Sequence, residues 1–203
     1  MSFVAGDTLY LAPLFIVAVA GLALVLAEAF FAGRDRTALA GLAVAGALAG
    51  AVASIVLYRQ LAPGEHRLVM NGMLVADRTG YALSALFCTI TALTALVTPA
   101  HQRTHAWVIG EYYGVLLMST VGTVMLAHAA NLATVFLGVE TMSIGVYTMT
   151  AFRRRSRRGN EAAMKYFLMG AFATGFLLYG MALVYGAVGS TSLAASVSCP
   201  GMW

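Results

Sequence analysis

The sequence predicts an all-α protein, a polytopic bundle of about six transmembrane helices. Three observations carry that reading. Of the 203 residues, 61% are hydrophobic and only 10% are charged, whereas a soluble domain is about 45–50% apolar and about 25% charged. Apolar runs of about 20 residues, the length that crosses the hydrocarbon core, recur along the chain. Arginines gather in the short connections between those runs. The net charge of +4 therefore belongs to loops on one side of a bilayer and gives no reason to expect nucleic acid as a partner.

The first span is expected over Leu9–Phe31. No basic stretch precedes it, so it reads as a retained helix and not as a cleaved signal peptide. The second is expected over Thr37–Tyr58, after the connection GRDR, and the third over Asp77–Thr98, after RQLAPGEHR. The connection PAHQRTH leads to the fourth, Tyr112–Ala130. Only the tight turn HAAN separates it from the fifth, Asn131–Phe152. The arginine-rich RRRSRRG precedes the sixth, Glu161–Ala187. Three sections are read from this order: 1–111 with three helices, 112–187 with three more, and a polar tail over 188–203. Trp107, Tyr112 and Tyr113 are expected at a membrane interface, where amphipathic rings settle.

Arginine placement sets the orientation. With the N-terminus outside, the inner loops hold Arg34, Arg36, Arg103, Arg153, Arg154, Arg155, Arg157 and Arg158, and the outer segments hold Arg59, Arg67 and Arg78. The expectation is a multi-pass protein of the bacterial inner membrane with its 153–158 loop in the cytoplasm. The lipid bilayer is then the one partner that composition alone implies. The arginine cluster needs no role beyond topology, although such clusters also attract acidic head groups.

The charges inside the apolar runs carry the chemistry. Glu140, in VFLGVETMSIG, has no basic residue within ten positions on either side. It lies about 14 Å into its span at about 1.5 Å per residue, close to the midplane. A charge there costs roughly 2.5–3.5 kcal/mol on insertion scales. Its side chain is too short to reach the interface, so it must be protonated or paired, and it must face protein or water. Ser143 and Tyr147 share its helical face and extend a polar track toward the inner side. A neighbouring face, Thr134, Gly138, Thr141, Gly145 and Thr148, is small enough for close helix packing. The bland alternative is a protonated glutamate bonded to a neighbouring helix.

Lys165 is the chain's single lysine. It sits four residues into the sixth span, after Glu161, the favoured spacing for an ordinary helical ion pair. It also lies close enough to the inner edge to snorkel. Position alone leaves the ion pair and a path role equally open. A direct bond between Glu140 and Lys165 is not expected, because their depths differ by about 12 Å. Secondary candidates are His128, near the outer end of the fourth span, Glu28, three residues from the inner end of the first, and Asp77, which opens the third where a carboxylate favours a helix N-terminus. An interfacial imidazole explains His128 better than a proton relay does, although an ordinary histidine pKa would allow relay work. No Cys/His set has metal-ligand spacing, and the two cysteines, Cys88 and Cys199, are too few for a disulfide framework.

The segments NLATVFLGVETMSIGVYTMTAFRR and NEAAMKYFLMGAFATGFLLYGMALVYGAVGSTSL resemble one family. They are similar to subunit N of bacterial NADH:quinone oxidoreductase, respiratory complex I, an antiporter-like membrane subunit. The resemblance is strongest over about 112–193, and V-A-D-R-T-G-Y fits the family loosely. It implies the N-terminal part of an antiporter-like fold built from inverted repeats, a common transporter plan. It implies proton translocation driven by electron transfer elsewhere, with Glu140 and Lys165 on the path. No cofactor is expected in this chain; NAD, FMN, iron–sulfur clusters and quinone belong to the whole complex, whose other membrane subunits are the expected partners. Family members run to about fourteen helices, and the lysine partner of the glutamate sits on the seventh. This chain ends after six and is expected to be a fragment. Mrp-type cation/proton antiporter subunits, membrane-bound hydrogenase subunits and an inactive structural fragment are the alternatives.

Overall fold

The computed structural model describes residues 7–30, 36–104, 110–152 and 156–197. Arg34, Trp107, Arg153–Arg155 and Cys199 lie outside the described residues. A short α1 (Asp7–Tyr10) leads into α2 (Ala12–Phe30) and α3 (Arg36–Gln60). A hairpin of β1 (His66–Val69) and β2 (Leu74–Asp77) precedes α4 (Arg78–Thr104). Then follow α5 (Glu111–Ala127), α6 (Leu132–Ala151), α7 (Arg157–Val188) and a short α8 (Leu193–Val197). All six expected spans are present as α2–α7. Five of them are long and apolar enough to cross a bilayer, and α5, with 17 residues, is shorter.

Helices α2–α5 form the packed body. Val17, Leu24, Ala43, Ala47, Cys88, Ala95, Tyr113, Leu117 and Val124 build its core. The alanines and glycines of α3 let neighbouring backbones approach, as membrane helices require in the absence of a hydrophobic drive between them. Between α4 and α5 the buried Thr91 donates to Thr120 Oγ1 at 2.7 Å, because the Thr120 hydroxyl proton is already given to the Leu116 carbonyl at 2.9 Å. Large apolar side chains such as Phe15, Leu22, Leu86 and Leu96 remain exposed around the body.

Helix α6 packs on α5 through small residues. Thr134, Gly138 and Gly145 are buried against it, and Ser119 Oγ donates to the Met142 carbonyl at 3.0 Å. The expected small-residue face is thus half right. Thr141 and Thr148 lie outside the contact and satisfy their hydroxyls on the carbonyls of Leu137 and Ile144. The contact row advances in steps of three and four residues and takes in the Met142 backbone instead.

Other differences have local causes. The connection before α4 contains a β-hairpin, nucleated by Met70-Asn71-Gly72-Met73. Met70, Asn71 and Gly72 have φ of 50°, 57° and 80°, conformations that Asn and Gly adopt most readily. Val69, Leu74 and Ala76 turn inward and seal the ends of the helices with Leu11, Leu57, Leu61 and Tyr81. Helix α4 runs through Pro99 to Thr104, six residues past its expected end. Pro99 removes the amide that would reach the Ala95 carbonyl; one residue before it, Thr98 Oγ1 bonds the Thr94 carbonyl at 2.6 Å. Tyr113 is a core residue, 1% exposed, and so is not the interface anchor expected, while the half-buried Tyr112 packs edge-on against it and Phe152. Helix α7 starts four residues early, with Ser156 accepting from the Gly159 amide at 3.1 Å. Arg157 and Arg158 therefore belong to its first turn.

On the hairpin side a strip of backbone pairing crosses the bundle. Val75 N donates to His128 O at 2.7 Å and Ala130 N to Met73 O at 3.0 Å. Leu132 N donates to Thr191 O at 2.8 Å and Leu193 N to Ala130 O at 3.1 Å. The turn between α5 and α6 thereby joins β2 to the segment after α7. Asn131 in this turn caps α6: its Oδ1 accepts from Thr134 N at 2.7 Å and from Thr134 Oγ1 at 2.9 Å. Asn131→Ala is expected to cost about 1 kcal/mol and Asn131→Asp much less, which thermal unfolding in detergent will resolve.

Candidate functional site

Helix α6 positions the candidate site. Its buried row faces α5, so Glu140, Ser143 and Tyr147, all half-buried, lie on the opposite side of the helix. Glu140 Oε1 is buried with no hydrogen-bond partner among the described residues. A carboxyl oxygen in that state is costly in a low-dielectric interior and calls for a proton, a water or a further side chain. Tyr147 lies between the two helices. Its ring meets Tyr166 and Phe167 edge-on at centroid distances of 5.1 and 5.7 Å, and its hydroxyl rests on Gly170, in the space a β-carbon would fill.

Lys165 takes the ordinary geometry. Its Nζ bonds Glu161 Oε1 at 2.5 Å, one turn back on α7, with both side chains more than half exposed. The expectation of no direct Glu140–Lys165 bond agrees with this pairing. Helix α7 packs along α6, and Met164, Leu168, Phe172, Phe176, Tyr179 and Leu183 on it are exposed.

The secondary candidates separate to the two ends. Glu28, near the end of α2, lays its carboxylate on Gly110, the N-cap of α5. A negative charge is favourable at a helix N-terminus, so Glu28 reaches a neighbouring helix instead of the interface. At the hairpin side Asp77 Oδ1 accepts from Gly80 N at 2.8 Å and caps α4. His128 lies one residue past α5 in the turn and is 4% exposed. Its Nδ1 donates to the Val75 carbonyl at 2.9 Å, which can only accept, and its Nε2 lies 3.1 Å from Ser84 Oγ. Tyr81 packs edge-on against it at 4.9 Å. Burial lowers the imidazole pKa, opposed by the Val75 bond and the Asp77 charge. His128 is a neutral clasp joining β2, α4 and the α5–α6 turn, far along the bundle from Glu140. Gly80 makes the clasp possible, since a β-carbon there would lie 2.5 Å from His128 Nδ1.

Sequence reasoning missed Ser84 and Arg78 as partners. Arg78 spreads its guanidinium over the Tyr58 ring at 4.3 Å, and its Nε is buried without a partner among the described residues. Its signal was present as a lone arginine opening an apolar run. No group of three His, Cys, Asp or Glu among the described residues is placed to hold a metal ion.

Known proteins match both sequence and fold. Residues 129–201, which include Glu140 and Lys165, match the family described as NADH:quinone oxidoreductase/Mrp antiporter, TM. The chain is 41% identical over 209 residues to NADH-quinone oxidoreductase subunit N 1 of Sorangium cellulosum, covering 93% of this chain and 39% of that protein. It is 37% identical over 182 residues to subunit N of Trichlorobacter lovleyi, covering 90% of this chain and 36% of that protein. A subunit of respiratory complex I from Thermus thermophilus superposes with a TM-score of 0.72 at 26% identity, covering 93% of this chain and 39% of that one. The chain thus spans about two fifths of the length of the curated relatives it matches. It belongs to the antiporter-like family of membrane subunits that NADH:quinone oxidoreductase and Mrp complexes share.

Proposed function

We propose that this chain forms part of a proton path in a membrane complex of the NADH:quinone oxidoreductase type. The carrying observation is the partnerless carboxyl oxygen of Glu140, held near the middle of a spanning helix and turned away from the packed body. An ionisable group at that depth is by default part of an ion or proton route. In this reading Glu140 takes a proton from one side and releases it to the other. Lys165, held by Glu161 at the 153–158 end of α7, supplies a second charge to the path. The chain serves the translocase as a subunit and carries no redox cofactor of its own; NAD, FMN, iron–sulfur clusters and quinone act elsewhere in the complex. Its partners are other membrane subunits and lipid. The arginine bias supports an inner-membrane orientation with the N-terminus outside and the 153–158 loop in the cytoplasm.

The test is Glu140→Gln in the assembled complex, in inverted membrane vesicles. NADH-driven proton uptake is expected to fall at least ~10-fold, a loss of about 1.4 kcal/mol or more of barrier lowering, while NADH oxidation by an artificial acceptor persists. Unchanged proton uptake with the complex intact would refute the path.

A further inference from the structure

We infer that the Tyr147 hydroxyl relays protons between the 153–158 side of the membrane and Glu140, and that Gly170 holds it in place. The inference rests on the proton-path reading above and adds a residue and a niche to it.

The polar groups of α6 divide sharply. Thr134 is bonded to Asn131, and Thr141, Thr148 and Thr150 return their hydroxyls to the carbonyls of Leu137, Ile144 and Val146. On the opposing helix Thr174 does the same with Gly170 and Ala171. A hydroxyl closed on its own backbone must give up that bond before it can pass a proton onward. Among the described residues, Ser143 and Tyr147 have no hydrogen-bond partner, and Glu140 Oε1 has none either. These three share one face at positions 140, 143 and 147. Groups of this kind inside a bilayer recruit water.

The geometry also sets direction. Tyr147 is about 10 Å along α6 from Glu140, toward the 153–158 end. Side chains on a helix lean toward its N-terminus, so Tyr147 leans back toward Glu140. The hydroxyl lies on Gly170, five residues deeper along α7 than Lys165. It therefore occupies the level between the two charges that no direct bond spans. The rings of Tyr166 and Phe167 fix its tilt.

In the transfer, the hydroxyl oxygen accepts a proton from a water on the 153–158 side. It releases its own proton to water or Ser143 on the Glu140 side. One O–H bond forms and one breaks on the same oxygen, and no electrons are exchanged. Rotation about the C–O bond resets the group.

The experiment uses the assembled complex in inverted vesicles. Tyr147→Phe keeps the ring and its two edge contacts, and is expected to cut proton uptake per NADH oxidised at least threefold at unchanged complex content. Gly170→Ala keeps the hydroxyl but expels it from its niche, and is expected to do the same; the double variant should be no worse than either alone. Fluorinated tyrosines at position 147, which acidify the hydroxyl, should shift the pH profile of uptake to lower pH, a readout that a packing role would leave unmoved. If Gly170→Ala fails to assemble, Tyr147→Phe and the fluorotyrosine series still decide. Wild-type uptake in Tyr147→Phe, or an unmoved profile, overturns the relay. Glu140→Gln in parallel separates the cases: a loss there with normal Tyr147→Phe removes only the relay, and no loss in either removes the path itself.

Discussion

Gly122→Ala is expected to unfold the α5–α6 joint. A methyl at Gly122 would overlap the Met142 backbone nitrogen and lie 2.8 Å from the Gly138 carbonyl. Both obstacles are backbone, so no rotamer change relieves them and the helices must separate. Their separation would also strip the Ser119 bond to the Met142 carbonyl. Overpacking usually costs about 1–3 kcal/mol and more where backbone must move, so a loss of about 3 kcal/mol is expected, equivalent to a fall in unfolding temperature of ~10 °C for a chain of this size. Cys88 is a suitable reporter, being buried and free in the core. In a Cys199→Ser background a thiol-reactive dye will label it as the bundle opens. Gly175→Ala is the internal control: a β-carbon there meets nothing within 4 Å, and alanine is the better helix former by about 1 kcal/mol. If Gly122→Ala melts with the wild type, the tight α5–α6 contact is not what holds α6 in place.

His128→Ala should be nearly as damaging, by a different route. It removes the group that satisfies the Val75 carbonyl and lies within bonding distance of the Ser84 hydroxyl. It also opens a gap beside Tyr81. Unsatisfied buried groups cost about 1–3 kcal/mol, and the cavity adds to that, so a loss of about 3 kcal/mol is expected with the hairpin loosened first. Limited proteolysis after Arg67 should then quicken, whereas the wild-type hairpin resists. The same residue predicts a pH dependence. Burial lowers its folded-state pKa, so the unfolded chain binds the proton more readily. Stability is complete above the ordinary histidine value of about 6.5 and falls as pH drops from there toward the lowered folded value. Unfolding temperature measured between pH 7.5 and 5 should decline in the wild type and decline less in His128→Phe. Parallel curves would exclude His128 as the source.

Much of this was readable because membrane helices are long and hydrocarbon enforces their length. Six apolar runs gave six helices, and the helical period put Glu140, Ser143 and Tyr147 on one face that the structure preserves. The Lys165–Glu161 pair followed from spacing of four. What failed was local chemistry overruled by neighbours. The hairpin was hidden because His66–Asp77 is short and abuts an apolar run, although Asn71-Gly72 is a strong turn signal. The third span is expected to end at Thr98, yet α4 continues through Pro99 to Thr104. Tyr113 is expected at an interface because it lies near a helix end, but it packs in the core that α2–α5 share, an arrangement that sequence alone could not place. The roles of Glu28 and His128 were out of reach for the same reason: each is defined by a contact with another element.

The backbone strip on the hairpin side has a mechanical consequence. Helices α6 and α7 are joined by a short connection at one end and by the Leu132–Thr191 and Leu193–Ala130 bonds at the other. The pair is a closed frame. Sliding α7 by a single turn, about 5.4 Å, would carry both bonds out of range and drag on the hairpin through Ala130. A piston stroke between these helices would have to break both bonds, and the alignment of Tyr147 with Gly170 is tied to that register. On the proposed proton path, gating beside Glu140 is then expected from side-chain rotation and entry of water, within a frame that keeps its register.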